Sequence, residues 1–419
     1  MSYDEPDTQS DRRRAILRQP RFRLLLTARS ISFFGDSLAP IAIPFAVLGI
    51  GGDVGEVGLV LGAGAITNLV LLLFGGVVAD RFPRRLLLVT SDLVQGTAIA
   101  VTALLLLTDA ASVWSLALLQ VAFGAGMAIN LPAFTGIVPQ LVARPDIQTA
   151  NGLLSVTQST AQIAGPSVAG ILVAVASPGL ALAVDAGTFL VSAILLARLP
   201  VEQVVAVDHP RFFRSLVEGW TELLKRRWYW VSLLAHSGAN FSIGVFYVLG
   251  PAILADAGAG ASGWGLVATA GSVGSILGAL AILRWWLKRP LVIANVALTL
   301  YAPVLLLLAI PAPVWALMVA AAVATFSVSL LNGAFESTMQ KLVTDEILAR
   351  LDSYDWLISF AVLPLGYGLA GPLSEAMGRG PLLVLSALIL VVPCTLTLLD
   401  PHIRGVRTLR NGEVVLDLP

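Results

Sequence analysis

Apolar runs of about 20 residues recur from one end of this chain to the other, and nothing constrains its fold more. A soluble domain buries short stripes of apolar residues, whereas a run of this length matches the thickness of a lipid bilayer. Reading for such runs predicts about twelve helices, over 22–50, 56–79, 86–108, 113–137, 148–176, 179–198, 228–255, 262–287, 290–310, 313–335, 353–375 and 380–399. Breaks fall where helices end cheaply, at Gly51-Gly52-Asp53, Arg81-Phe82-Pro83-Arg84-Arg85, Ser177-Pro178-Gly179 and Pro311-Ala312-Pro313. The chain of 419 residues is 57% hydrophobic and 12% charged, about half the ~25% usual in soluble domains. Its mean hydropathy of +0.86 excludes a soluble enzyme, a nucleic-acid binder and a disordered protein. The one cysteine, Cys394, excludes an internal disulfide framework, and His209, His236 and His402 show no ligand spacing, so no metal or cofactor is expected. The polar first twenty or so residues, followed by too long an apolar run, argue against a cleavable signal peptide.

The basic residues set an orientation. With both termini in the cytoplasm, 24 of the 26 Lys and Arg residues fall on the tails and even-numbered connections. A missed span would invert every later loop, so this bias supports the helix number. The tryptophans fall near helix ends, with Trp114, Trp264 and Trp315 expected outside and Trp228, Trp285 and Trp356 inside. The expected organisation is a cytoplasmic tail (1–21), a six-helix bundle (22–198), a cytoplasmic linker (199–227), a second six-helix bundle (228–399) and a cytoplasmic tail (400–419). In the linker Phe213, Leu216, Val217, Trp220, Leu223 and Leu224 recur at helical spacing, which suits a helix on the lipid surface or a plain tether.

The halves repeat. Gly58-Leu59-Val60-Leu61-Gly62-Ala63-Gly64 aligns with Gly265-Leu266-Val267-Ala268-Thr269-Ala270-Gly271 at five of seven positions, and the same register sets Arg81-Phe82-Pro83 against Lys288-Arg289-Pro290. A slightly shifted register sets Gly165 and Gly170 against Gly366 and Gly371. Two similar bundles can rock about a site near the bilayer midplane.

After the second span the chain reads Gly76-Val77-Val78-Ala79-Asp80-Arg81-Phe82-Pro83-Arg84-Arg85. This resembles the loop pattern G-x-x-x-D-R-x-G-R-R/K of the major facilitator superfamily, with Pro83 in place of the later glycine. The resemblance covers nearly the whole chain and implies an all-α membrane protein, twelve transmembrane helices in two pseudo-symmetric bundles. It implies a gating role for Gly76, Asp80, Arg81, Arg84 and Arg85. Asp80 would meet a helix N-terminus of the second half and latch the cytoplasmic side. The second-half copy has Leu287 at the Asp80 position, so the latch would be asymmetric. The fifth span, Gln162-Ile163-Ala164-Gly165-Pro166-Ser167-Val168-Ala169-Gly170, is similar to the G-P-x-x-G-G element of the superfamily's exporters, with Ala169 for the first paired glycine. This likeness extends the gating role to Gly165, Pro166 and Gly170, although close packing alone also accounts for them. Asn151, Ser155, Gln158 and Gln162 share one face of this span, which should look into the bundle or its water.

Charge inside hydrocarbon is costly unless paired or wet. Arg29 and Asp36 share a face of the first span, and Pro40 frees the Asp36 carbonyl. Asp36 is the candidate proton-coupling or cation-binding acid with Arg29 beside it; a structural Arg29–Asp36 network is the alternative. Asp92 and Asp185 are secondary acids, and Asp92 could simply pair with Arg84 or Arg85. The fourth span has Gln120 where proton antiporters of the superfamily often carry arginine, so coupling must centre elsewhere. Gln120, Asn130, Gln158, Gln162, His236, Asn240 and Asn332 are candidate cavity residues, although each could serve only a helix–helix hydrogen bond. Within the superfamily the chain looks most like the bacterial macrolide-efflux and enterobactin-exporter group, through Ser32-Phe33-Phe34-Gly35-Asp36, Pro132-Ala133-Phe134, Pro139-Gln140-Leu141-Val142, Asn151-Gly152 and Val184-Asp185-Ala186-Gly187-Thr188-Phe189-Leu190. The expectation is a monomeric, inner-membrane exporter of small amphipathic molecules in exchange for protons, with membrane lipid around it and no nucleic-acid partner. The alternatives are a proton-coupled nutrient importer, and a lipid flippase or non-transporting sensor. No Walker loop and no catalytic constellation are visible, so an enzyme is not expected.

Overall fold

The computed structural model describes residues 9–200, 220–409 and 413–417 apart from 286, 345, 346, 348–350, 352, 353 and 356, with side chains described except at 9–13 and 73–81. The described residues fall into two compact units, one holding those up to 50 and from 63 to 200, the other 51 to 62 and those from 220 onward. The first contains α1 (Gln9–Arg18), α2 (Pro20–Asp36), α3 (Ala39–Gly49), most of α4 (Val54–Arg81), α5 (Arg84–Leu107), α6 (Val113–Leu141), α7 (Ile147–Val175) and α8 (Pro178–Ala197). The second contains the start of α4, then α9 (Arg227–Asp256), α10 (Gly260–Arg284), α11 (Pro290–Leu298), α12 (Ala302–Leu308), α13 (Val314–Leu342), α14 (Leu363–Met377) and α15 (Arg379–Leu396). It ends in the short helix α16 (Pro401–Gly405) and the strands β1 (Val406–Thr408) and β2 (Val414–Leu416).

Ten helices among the described residues are long and apolar enough to cross a membrane. The expected fifth and eleventh spans coincide with α7 and α14, which fall outside that set. The α7 helix carries the polar face of Asn151, Ser155, Gln158 and Gln162, and α14 has only 15 residues. Sequence punctuation sets the ends. Ser112 and Ser115 form a capping box at the start of α6, and Ser177 caps α8 with Pro178 behind it. Gly378, at φ 88°, makes the turn between α14 and α15, a conformation that a Cβ disfavours.

The first expected span is two helices. At the break Leu38 N–H donates to the Gly35 carbonyl (2.8 Å) and Pro40 opens α3 without an N–H to give. Asp36 is therefore the last residue of α2. Gly165 of α7 closes on this break, where an added Cβ would lie 1.6 Å from Ser37 Oγ. In the second unit Gly366 of α14 approaches α9 as closely, its added Cβ falling against the Phe241 carbonyl oxygen within an unbroken helix. Gly124 of α6 likewise rests on the Gly64 carbonyl of α4, as Gly278 of α10 rests on the Phe326 carbonyl of α13. Of the aligned glycines, Gly64 meets Gln120 of α6 as Gly271 meets Thr325 of α13, so this pair makes corresponding helix contacts in the two units, close approaches that a small residue permits.

Both units carry closing elements at their basic ends. Ile16 of α1 is fully buried with Phe22, Leu88, Ile137 and Leu196. In the second unit Ile403, Val406 and Val414 pack with Leu223, Trp228, Tyr229, Leu291, Phe335 and Met339. The hairpin pairs Val406 with Leu416 and Thr408 with Val414, and Thr408 N–H donates to the Lys288 carbonyl (3.0 Å). Arg227 Nε donates to Asp400 Oδ2 at 2.8 Å. The segment 400–419, expected as a tail, is therefore a folded cap over its described length. Of the predicted linker helix, Phe213, Leu216 and Val217 lie outside the described residues. Residues 220–225 are helical, with Leu223 buried against the second unit and Trp220 and Leu224 exposed. Trp114, Trp285 and Trp315 are exposed, but Trp264 and Trp228 are buried core rings and not interfacial anchors. Trp264 packs on Phe246 and Tyr247, and Trp228 on Tyr229 and Phe335. Trp356 lies outside the described residues.

Candidate functional site

Four helices of the first unit bring their polar side chains to one dry place. Arg29 of α2 and Asp92 of α5 are 4% and 0% exposed, a burial that is tolerable only with mutual pairing and further hydrogen bonds. Arg29 Nη1 lies 3.8 Å from Asp92 Oδ1, and Nη2 donates to Asn130 Oδ1 of α6 at 3.0 Å. Asp92 Oδ1 accepts from Asn130 Nδ2 (3.3 Å), and its Oδ2 accepts from Ser192 Oγ of α8 at 2.6 Å. Asn130 Nδ2 also donates to Ser91 Oγ (2.9 Å), which passes its own proton to the Gly126 carbonyl (2.9 Å). The guanidinium carbon lies 4.9 Å from the Phe33 ring centroid and 4.6 Å from that of Phe134, and the two rings meet edge to face.

Two of the alternative pairings are not the ones formed. The contacts of Arg29 are with Asp92 and Asn130, and Asp36 feels its charge without touching it. Asp92 does not pair with Arg84 or Arg85, which reach the Pro132 carbonyl (3.4 Å) and the Leu199 carbonyl (3.1 Å). Spacing on one helix identified which residues share a face; the better-placed acid comes from a neighbouring helix.

Asp36 is half-buried, and its Oδ2 has only a long 3.5 Å contact with Ser32 Oγ. Standing at a helix C-terminus, its negative charge opposes the helix dipole. Asp185 of α8 is fully buried, and neither carboxylate oxygen has a hydrogen-bond partner among the described residues. Thr188 Oγ donates instead to the Asp185 main-chain carbonyl (2.7 Å). The Asp185 carboxylate rests on Gly35, where an added Cβ would lie 2.5 Å from Oδ1 and 1.9 Å from Thr188 Oγ. The stretches Ser32–Asp36 and Val184–Thr188, read separately in the sequence, are thus in contact.

The Phe33 and Phe134 rings that carry the guanidinium also form one wall of a cavity of about 220 Å³. Asn151, Ser155 and Gln158 of α7 line its polar side. Gln162, the fourth member of the stripe, is exposed and lies off the cavity. A volume below the ~300–1,000 Å³ of complete ligand pockets suits part of a drug-sized molecule.

The other candidates take structural places. Gln120 is buried against Gly64 of α4. His236 is 7% exposed with its ring against Phe335, which puts it in the core and not on a cavity wall. Asn240 donates to the His236 carbonyl of its own helix (3.2 Å), and Asn332 is exposed on α13. Gly165 and Pro166 are buried where α7 meets the α2–α3 break, and Gly170 is buried one turn on. The side chains of Asp80 and Arg81, and the surroundings of Gly76, lie outside what the structure describes. Ser91 and Ser192 were missed as site residues. Ser192 lies seven residues after Asp185 and so shares its face, a signal available in the sequence. Among the described residues no group of three or more His, Cys, Asp or Glu could hold a metal ion.

A helical protein with ten bilayer-length helices and a charge network buried beside a small cavity fits the class of multi-pass membrane transporters. The family is settled by comparison: the model of the Major Facilitator Superfamily matches residues 25–351, and the chain belongs to that superfamily. Its members are transporters and not enzymes. The multidrug efflux pump Tap of Mycobacterium tuberculosis is 27% identical over 391 residues, covering 90% of this chain and 92% of that protein. Macrolide efflux protein A of Enterococcus faecalis is 27% identical over 163 residues, 38% of this chain and 50% of that protein. A crystal structure of the nucleoside transporter NupG shares the fold with a TM-score of 0.71 at 13% identity, covering 91% of this chain and 98% of that one.

Proposed function

We propose that this transporter exports small amphipathic molecules across the inner membrane in exchange for protons, as a monomer with both termini in the cytoplasm. The observation that carries the reading is the wall shared by charge and cavity. Phe33 and Phe134 hold the Arg29 guanidinium on one side and line the cavity on the other. Protonation of a nearby acid changes the field on Arg29, and any shift of the guanidinium moves the rings against which a substrate would lie. Asp36 is the coupling acid in this scheme because it is half-buried and lacks a strong partner. The loop residues Asp80, Arg81, Arg84 and Arg85, with Gly76 before them, are assigned to gating. Gln158, with Asn151 and Ser155 beside it, is assigned to substrate contact. The efflux pumps among the relatives support the outward direction, and the basic loops support the orientation.

Efflux of a panel of amphipathic compounds from cells lacking their own pumps, with and without an uncoupler, tests the reading. Export that stops with the uncoupler and is abolished by Asp36→Asn, with substrate binding retained, is the expected result. Full pH-driven export by Asp36→Asn would remove that residue from the mechanism. Gln120→Ala should matter less than Asp36→Asn; the reverse order would move coupling to α6.

A further inference from the structure

Arg29 provides one positive charge to a neighbourhood that contains three acids, Asp36, Asp92 and Asp185. Geometry assigns that charge to Asp92, which also receives Asn130 and Ser192. Asp36 feels the Arg29 charge without an ion-pair contact, and Asp185 has no cation beside it. The helices packed on α8 offer no replacement. Neither α3 nor α7 contains an ionisable residue, and Asp185 is the one ionisable residue in α8. Besides Asp92, α5 has only Arg84 and Arg85 in its first turn, which serve main-chain carbonyls, and α2 adds only Arg21 and Arg23 in its own first turn. A fully buried carboxylate with at most the neighbouring Thr188 hydroxyl for a donor needs a proton, a cation or further hydrogen bonds in such a place. Gly35 gives it room by leaving the α2 backbone bare where the Asp185 oxygen sits.

We propose that Asp36 and Asp185 form one proton-binding site across the contact of α2 with α8, in which half-buried Asp36 exchanges the proton and fully buried Asp185 stores it. The proton enters as an O–H on the Asp36 carboxyl and passes to an Asp185 oxygen, restoring the Asp36 carboxylate. No other bond changes. The proposal rests on the coupling role given to Asp36 above and adds a second acid on another helix, which splits exchange and storage between two residues.

Infrared difference spectra of the purified full chain in lipid, low pH minus high pH, read the protonated carboxyls directly. The wild type should show a titrating carboxyl signal with a component slow to exchange in heavy water. Asp185→Asn should remove the slow component. Gly35→Ala, which keeps both acids but fills the slot, should shift it. A titrating signal unchanged by Asp185→Asn overturns the proposal. Uptake of ethidium into everted vesicles under an imposed pH gradient separates this proposal from its parent. Asp185→Asn should lower pH-driven uptake at least tenfold, and Asp185→Glu should recover part of it. If Asp36→Asn abolishes coupling while Asp185→Asn matches wild type in uptake and spectrum, the shared site fails and the coupling reading stands. If the spectra show the pair but Asp36→Asn stays fully coupled, the coupling reading fails and the proton site stands.

Discussion

Arg29 shows how much one buried charge commits its surroundings. Removing one partner of such a pair leaves the other unpaired in a dry site and costs about 3–5 kcal/mol, whereas removing both can be close to neutral. Arg29→Gln should therefore lower the thermal unfolding midpoint of the detergent-solubilised protein clearly, and Arg29→Gln with Asp92→Asn should restore most of the loss. A double variant no more stable than the single one would mean that Arg29 acts through its rings and not through Asp92. That Arg29 and Asp36 are candidates could be read from the sequence, because charge in an apolar run is conspicuous. The network around Arg29 could not, since Asp92, Asn130 and Ser192 come from three further helices and only tertiary packing selects among them.

At the scale of the helices, small residues decide how closely neighbours approach. Gly165 abuts the break between α2 and α3, so Gly165→Leu forces the side chain into Ser37 and pushes α7 away from that break. Overpacking of this kind costs typically 1–3 kcal/mol, and transport should fall further than stability, measured as efflux against unfolding temperature for the same variant. Gly187 has open space at its Cβ position, so Gly187→Ala should leave both unchanged. The spans and their glycines were legible because apolar length and Gly/Pro punctuation are local signals. The split of the first span was half legible: Pro40 announced a lost hydrogen bond but not that Asp36 would end a helix. The polar face of α7 was legible as a face, while its meeting with Phe33 and Phe134 was not.

Across the molecule, the two units repeat their internal contacts yet close their basic ends differently, one with a helix and the other with a hairpin cap. The cap is anchored by Asp400, where burial disfavours the anion but the hydrogen bonds from Arg227 and the His402 main chain outweigh it and hold the carboxyl below its ordinary value. A depressed acid stabilises the fold above its unfolded value and loses that contribution as pH falls through the folded one. The cap should therefore loosen only on acidification below the ordinary Asp range, and Asp400→Asn should loosen it at neutral pH. Faster hydrogen exchange at 401–408 measures this, and unchanged exchange in Asp400→Asn would place the anchor elsewhere. The hairpin was not legible as structure, because strands of three residues carry too little alternation to stand out from a tail. Its position in the chain has a consequence for synthesis. Ile403, Val406 and Val414 emerge from the ribosome after every helix they cover, so the greasy floor formed by Trp228, Leu291 and Phe335 stays wet until translation has passed the last strand. A nascent chain stalled before that point would present a sticky surface for chaperones or proteases to recognise.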